Sequence, residues 1–363
     1  MICKRYFPPE LLNDFYKDYL DSIELDILGF SVKGLPIYEF HFGTGKQKIL
    51  MWSQMHGNET TTTKALLDLI PWLLKHKQNH ILKSFTFYVI PQLNPDGAKA
   101  FTRLNANQCD LNRDSIELSQ PESKLLRKAY KRIAPNYALN LHGQRTIYGA
   151  GLKGGPATIS FLAPSADFKC SVTPARKIAM SAIVSIYKSL QKELTLKIGR
   201  YDDTFNPNCV GDSFTMDGTP TILFEAGHYP GDYQRELCRK VVFKAFKALI
   251  IFLSRGNEIF TVDDYLKIPK NVKNYVDLIV SNVDIVINGK IIENQQLAIQ
   301  YIEELKDGKV LFHPSYYAFG PQLKQKAHRY LDLSINNIIE PIPFIQDKIV
   351  KNTKYYKLFS INP

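Results

Sequence analysis

The stretch KQKILMWSQMHGNETTTTKALLDLI, residues 46–70, joins two textures. Its first half holds a short, continuous apolar run, Ile49 to Trp52, as expected of a strand covered on both faces. Its second half places Leu66, Leu67 and Ile70, followed by Leu73 and Leu74, on one helical stripe. The pattern predicts a buried strand over 46–54 and a helix over 60–76. His56 sits where the strand ends and Glu59 where the helix begins.

The same alternation spreads outward. Residues 7–21 read as a helix, and 23–43 as two strands around the turn KGLP. Residues 84–97 read as a strand running into a turn, 121–133 as a helix and 137–143 as a buried strand. A helix over 174–193, a buried strand over 219–227 and a long helix over 233–254 complete the series. Strands alternating with helices from 46 to 254 predict an α/β fold, a sheet with helices on both faces. Beyond SRGNE (254–258) the texture changes to short β-like runs: YVDLIVS (275–281), VDIVING (283–289), LAIQYIE (297–303) and KVLFH (309–313). The expected division is therefore a catalytic-sized unit, 1–258, and a small, mainly-β C-terminal domain, 259–363.

With 363 residues the chain can bury one large core and a small one. Its 45% hydrophobic and 22% charged content are globular values. The net charge of +11 lies almost wholly in residues 1–255, where 33 basic residues face 23 acidic ones. The lysines are scattered, which favours a solvated surface over a nucleic-acid face; an anionic substrate is compatible with it. Five widely spaced cysteines without a CxxC pair predict free thiols in a reducing compartment. The N-terminus carries no apolar signal core, and no run approaches the roughly 18 apolar residues of a membrane span. The expectation is a cytoplasmic protein with no membrane or nucleic-acid partner. Nothing in the pattern specifies an oligomeric state.

Three of the buried strands end in polar chemistry: at His56 with Glu59 beyond, at His142 in NLHG, and at Glu225 in LFEAG. In an open α/β sheet, ligands bind outside the carboxyl ends of the strands, so one rule brings these residues together. Two histidines and a glutamate are a ligand set of catalytic zinc, which keeps a further position for water. A metal polarises a carbonyl and acidifies water, and a further carboxylate must then move the proton. Glu225, on an apolar strand, suits that role. The loop-like segment 94–114 adds two arginines, whose forks suit carboxylates and oxyanions.

Together these motifs, HGNE (56–59), NPDG (94–97), TRLN with Arg103, DLNRD (110–114), NLHG (140–143) and FEAGH (224–228), resemble the M14 metallocarboxypeptidase family over roughly residues 25–255. The resemblance implies a mixed, mostly parallel central sheet and one zinc ion held by His56, Glu59 and His142. It implies that Arg103 stabilises the oxyanion, that Asn112 and Arg113 hold the substrate's terminal carboxylate, and that Glu225 is general base and then acid. The implied substrate is a peptide with a free C-terminal carboxylate. Aspartoacylase and succinylglutamate desuccinylase share HGNE and DLNR and carry an appended β domain. An amide hydrolase acting on small N-acyl amino acids is therefore the alternative; NPDG and FEAGH favour the peptidase.

The chain departs from the family pattern at Gln108 and Cys109, and at Gly143 after His142. The family's substrate-binding tyrosine has no clear match. Tyr201 is the nearest candidate, with Tyr148 and Tyr229 behind it. His41, His76, His80, His313 and His328 lack ligand-type spacing and read as surface or core residues. His228 reads as a residue that lines or supports the pocket.

Overall fold

The computed structural model describes residues 4–19, 21–192, 196–256, 259–334, 341–343 and 354–361. Cys3, the His76 side chain and the remaining parts of 259–363 lie outside the described residues. In chain order the main body forms α1 (Pro9–Lys17), β1 (Glu24–Phe30), β2 (Pro36–Phe42), β3 (Gln47–Ser53), α2 (Thr60–Leu74), α3 (Asn79–Ser84), β4 (Phe85–Ile90) and α4 (Pro95–Ala100). It continues with α5 (Pro121–Ile133), β5 (Tyr137–Gly143), β6 (Tyr148–Ala150), β7 (Ile159–Leu162), α6 (Pro174–Leu190), β8 (Ile198–Arg200), α7 (Val210–Met216), β9 (Thr221–Ala226) and α8 (Glu236–Arg255). The C-terminal part holds α9 (Val262–Leu266), β10 (Asn271–Lys273), β11 (Tyr275–Ile287), β12 (Lys290–Lys306), β13 (Lys309–Gly320), β14 (Lys326–Asp332), β15 (Ile342–Pro343) and α10 (Lys354–Phe359).

The central sheet has eight strands in the order β1-β2-β4-β3-β5-β9-β7-β8. β4, β3, β5 and β9 run parallel, β1, β2 and β7 supply antiparallel pairings, and β8 runs parallel to β7. Alternate residues of β3 enter different cores. Ile49 and Met51 pack with α2, α6 and α8, whereas Leu50 and Trp52 pack with α5 and α7. That period-two division is what a sheet with helices on both faces requires, and it makes the apolar run of residues 49–52 continuous.

The C-terminal sheet runs β13-β12-β11-β14, with β15 also paired to β11. It encloses its own apolar cluster, including Leu278, Val280, Ile299 and Phe312. The two parts are stitched together before that sheet begins. Phe260, Tyr265 and Ile268 are buried in the main core, and β10 pairs with β6.

Several elements differ from the sequence pattern. Segment 94–114, read as a loop, contains α4 and a 3-10 turn over Leu111–Arg113. Asn94 and Asp110 start these turns by accepting the backbone N–H groups of Gly97 and Asn112 at 2.8 and 2.9 Å, so residues that read as loop formers act as caps. β7 and β8, of four and three residues, are too short to show a period. The runs 275–281 and 283–289 form one strand, β11, whose register shifts between Val280 and Val283. Asn282 at φ 56° makes that break, a conformation asparagine adopts more readily than most residues. Among the described residues no helix is long and apolar enough to cross a membrane.

Candidate active site

β3 and β5 are adjacent parallel strands, so the segments leaving their carboxyl ends meet. There the Glu59 carboxylate bridges two imidazoles, with Oε1 2.8 Å from His56 Nδ1 and Oε2 2.9 Å from His142 Nδ1. The two Nδ1 atoms are 3.2 Å apart, and Glu59 Oε2 also accepts the Gly143 N–H at 3.0 Å. Close backbone approach makes this junction possible. A Cβ on Gly57 would lie 1.9 Å from the Gly97 carbonyl carbon, so HGNE and NPDG are pressed together as backbone against backbone.

On the far side of the His56 ring, Nε2 lies 3.0 Å from Asp110 Oδ1. Arg103 grips the other Asp110 oxygen through Nε and Nη2 at 3.2 and 3.0 Å, and its Nη1 lies 3.5 Å from Glu59 Oε1. Burial works against charge on His56, but Glu59 and Asp110 outweigh it and hold its pKa raised. Burial wins at His142, whose pKa is lowered despite Glu59. Burial also opposes ionisation of Glu59 and Asp110, yet the adjacent imidazoles hold both carboxylates below their ordinary range.

The donor set fits a metal ion. The ligand atoms of His56, Glu59 and His142 all lie within 4.8 Å of one another, and all three side chains are largely buried. With its Nε2–H given to Asp110, a neutral His56 turns an Nδ1 lone pair toward the Glu59 carboxylate. Lone pairs aimed at lone pairs demand a proton or a cation between them. A carboxylate behind the ligating imidazole is the arrangement that orients metal-binding histidines.

Glu225 stands beside this group. It is on β9, paired in register with His142 on β5, and is 9% exposed. Burial first, then the charge of Glu59, raise its pKa well above the ordinary carboxylate value, with Arg103 acting in the opposite sense. These residues open onto a cavity of about 730 Å³. Asn112 and Arg113 line it too. Asn112 Oδ1 accepts the Val210 N–H at 3.0 Å, which leaves its NH2 for a ligand. Arg113 donates to the Asn112 carbonyl at 2.7 Å and touches Cys209 Sγ at 3.1 Å. Among the described residues it has no carboxylate partner. Tyr201 and Tyr148 both face the cavity with their hydroxyls 2.8 Å apart. Tyr229 is not among the lining residues, nor is His228, which is buried against the rings of Tyr233 and His328.

Sequence reading missed three parts of this arrangement. Asp110 opens the DLNRD motif, but its bond to His56 needs the chain to fold back on itself. Asn140, 1% exposed, lines the cavity with neither amide atom hydrogen-bonded among the described residues; its place two residues before His142 was the available signal. The third part is the wall built by the C-terminal sheet, through Asp277, Gln300, Tyr301 and Phe312.

An α/β sheet with a His–Glu–His group at its strand ends and a buried carboxylate alongside is a candidate metal centre with a proton-accepting group beside it. The chain matches the zinc carboxypeptidase family over residues 10–117. It is 29% identical over 129 residues to a protein named probable carboxypeptidase 2 of Trichophyton verrucosum, covering 34% of this chain and 24% of that one. It is 27% identical over 160 residues to carboxypeptidase D of Mus musculus, covering 36% and 12%. The chain thus spans about a quarter of the fungal relative's length, or less in the mouse protein. Among solved structures, a metallo-carboxypeptidase from Burkholderia cenocepacia superposes with a TM-score of 0.56 at 16% identity, covering 70% of each chain. Bovine thrombin-activatable fibrinolysis inhibitor, solved with a tick carboxypeptidase inhibitor, gives 0.55 at 16%, covering 70% of this chain and 98% of that one. The motifs of this segment thus match the zinc carboxypeptidase family over residues 10–117, and the fold is that of solved metallo-carboxypeptidases.

Proposed function

We propose that the protein is a metallocarboxypeptidase that removes the last residue of a peptide bearing a free C-terminal carboxylate. One observation carries the reading: the His56–Glu59–His142 group lies beside a buried carboxylate, Glu225, which is in register with His142, in a cavity that the Arg113 guanidinium also lines. In this reading His56, Glu59 and His142 hold one zinc ion per chain. The ion, when bound, supplies Lewis acidity to the scissile carbonyl and to the attacking water.

The chain's own groups do the rest. Glu225, kept from easy ionisation by burial, is a strong enough base to take a proton from the attacking water, and it passes that proton to the leaving amine. Arg103, fixed by Asp110, sets a permanent charge beside the oxyanion that develops. Asn112 and Arg113 grip the terminal carboxylate, which makes cleavage terminal. Tyr201 or Tyr148 closes over the substrate. Every reacting group belongs to residues 1–258, and 259–363 adds a wall of the cleft.

The test is metal analysis of the purified protein together with hydrolysis of peptides, their C-terminal amides and N-acyl amino acids. Bound zinc and cleavage of free-acid peptides only are expected. Exclusive cleavage of N-acyl amino acids would transfer the site to amide hydrolysis of small acyl substrates.

A further inference from the structure

Arg235 precedes α8 and is 3% exposed, yet it lines the cavity. Its side chain makes a single long hydrogen bond, 3.4 Å to the Gln144 carbonyl, and no ion pair among the described residues. Burial and the nearby charge of Arg5 lower its pKa. Its backbone is left-handed, at φ 60°. A buried guanidinium with no carboxylate in direct contact among the described residues, and a non-glycine residue in that region, each cost stability. Such costs concentrate where a ligand is to be met.

Two carboxylates, Glu303 and Asp277, share this end of the cavity, and Asp277 is near enough to Arg235 for their charges to interact. Arg5 is paired with Glu303 at 3.0 Å. Asp277 accepts the Tyr301 N–H at 2.7 Å, the Tyr233 hydroxyl at 3.1 Å and a bond from the Gln300 amide. Arg145, exposed at the rim, has no ion pair among the described residues. Three guanidiniums, of Arg5, Arg145 and Arg235, thus meet two carboxylates, of Glu303 and Asp277, and the balance is positive.

Its place relative to Arg113 is set by the sheet. Arg113 touches Cys209, the cap of α7, on the face shared by α5 and α7. Arg235 caps α8, and Arg5 bonds Thr60 at the start of α2; both helices pack on the opposite face. The His–Glu–His group lies at the strand ends between the two. A peptide whose terminal carboxylate is held by Arg113 thus extends its N-terminal side toward Arg235 and the C-terminal sheet.

We propose that Arg235, with Arg145 at the rim, forms an anion subsite for a second substrate carboxylate upstream of the scissile bond, so that the enzyme selects peptides with an acidic residue just before the one removed. This rests on the carboxypeptidase reading.

The test uses zinc-loaded full-length protein and peptide pairs that differ only in Glu or Gln at the first or second residue upstream of the cleaved bond. The Glu peptide is expected to have kcat/KM higher by about tenfold or more, carried mainly by KM. R235Q brings that ratio to about one, and R145Q, an exposed change, lowers it in part. Calorimetry on zinc-loaded E225Q reads the same preference as a dissociation constant without turnover. Cleavage of both peptides with equal kcat/KM, or equal binding to E225Q, overturns this inference alone. Cleavage of no peptide overturns the carboxypeptidase reading and this inference with it. If R235Q does not fold, the wild-type ratio and R145Q decide.

Discussion

His142 and Glu225 occupy one rung of the parallel ladder between β5 and β9. Neighbouring strands lie about 4.8 Å apart, so the pairing alone puts a carboxylate beside a metal-type imidazole. No loop needs to move to assemble them. Glu225→Gln keeps the shape and removes the base. Turnover should fall by about 10² to 10⁴-fold, while zinc content stays at the wild-type level. Peptide hydrolysis and metal analysis on one preparation check this; an active Glu225→Gln protein would assign the proton transfer elsewhere.

Asp110 orients His56 from behind at 3.0 Å. Asp110→Asn loses the negative charge and loosens Arg103 as well. Zinc affinity should drop by about 10- to 100-fold. A chelator-competition titration reads this directly, and an unchanged dissociation constant would make Asp110 a partner of Arg103 only.

Arg113 faces the cavity with no carboxylate partner among the described residues. Arg113→Met should lower kcat/KM for free-acid peptides by about 2 kcal/mol, roughly thirtyfold, the worth of a charge-assisted bond. The ratio of free-acid to C-terminally amidated peptide should shrink with it. A ratio equal to that of the wild type would show that the terminal carboxylate is read elsewhere.

Gly57 has no room for a side chain, because a Cβ would lie 1.9 Å from the Gly97 carbonyl carbon. Gly57→Ala must push HGNE away from NPDG. It should destabilise the fold by about 1–3 kcal/mol and displace His56 and Glu59 enough to weaken metal binding. Denaturant unfolding of the metal-free protein separates the two effects; unchanged stability would mean that the loops yield without cost.

Asp277 ties the C-terminal sheet to Tyr233, and burial raises its pKa to about 6 against the hydrogen bonds that favour its charge. An unfolded aspartate titrates near 3.9. Between those values the folded state holds the extra proton, so this group's contribution to stability falls as pH rises from about 4 to about 6 and is level beyond. Asn cannot ionise. The melting temperature of Asp277→Asn minus that of wild type should therefore climb across this window. Melting curves at about pH 4 and pH 7 test it, and a constant difference would refute the raised pKa.

Local signals in the sequence determined much of this protein. The apolar run Ile49–Trp52 had to be a doubly covered strand, because its alternate residues serve two cores. His56, Glu59, His142 and Glu225 were legible because each stands at the end of such a run, and strand ends converge in a parallel sheet. Tertiary structure alone decided the rest. The Asp110 bond to His56 spans 54 residues, the meeting of Gly57 with Gly97 is backbone against backbone, and Gln300 and Tyr301 reach the cavity from a separate sheet. Periodicity reports which face a residue turns inward. It carries no information about which distant segment lies there, since loop-closure entropy and packing choose that neighbour once the whole chain is folded.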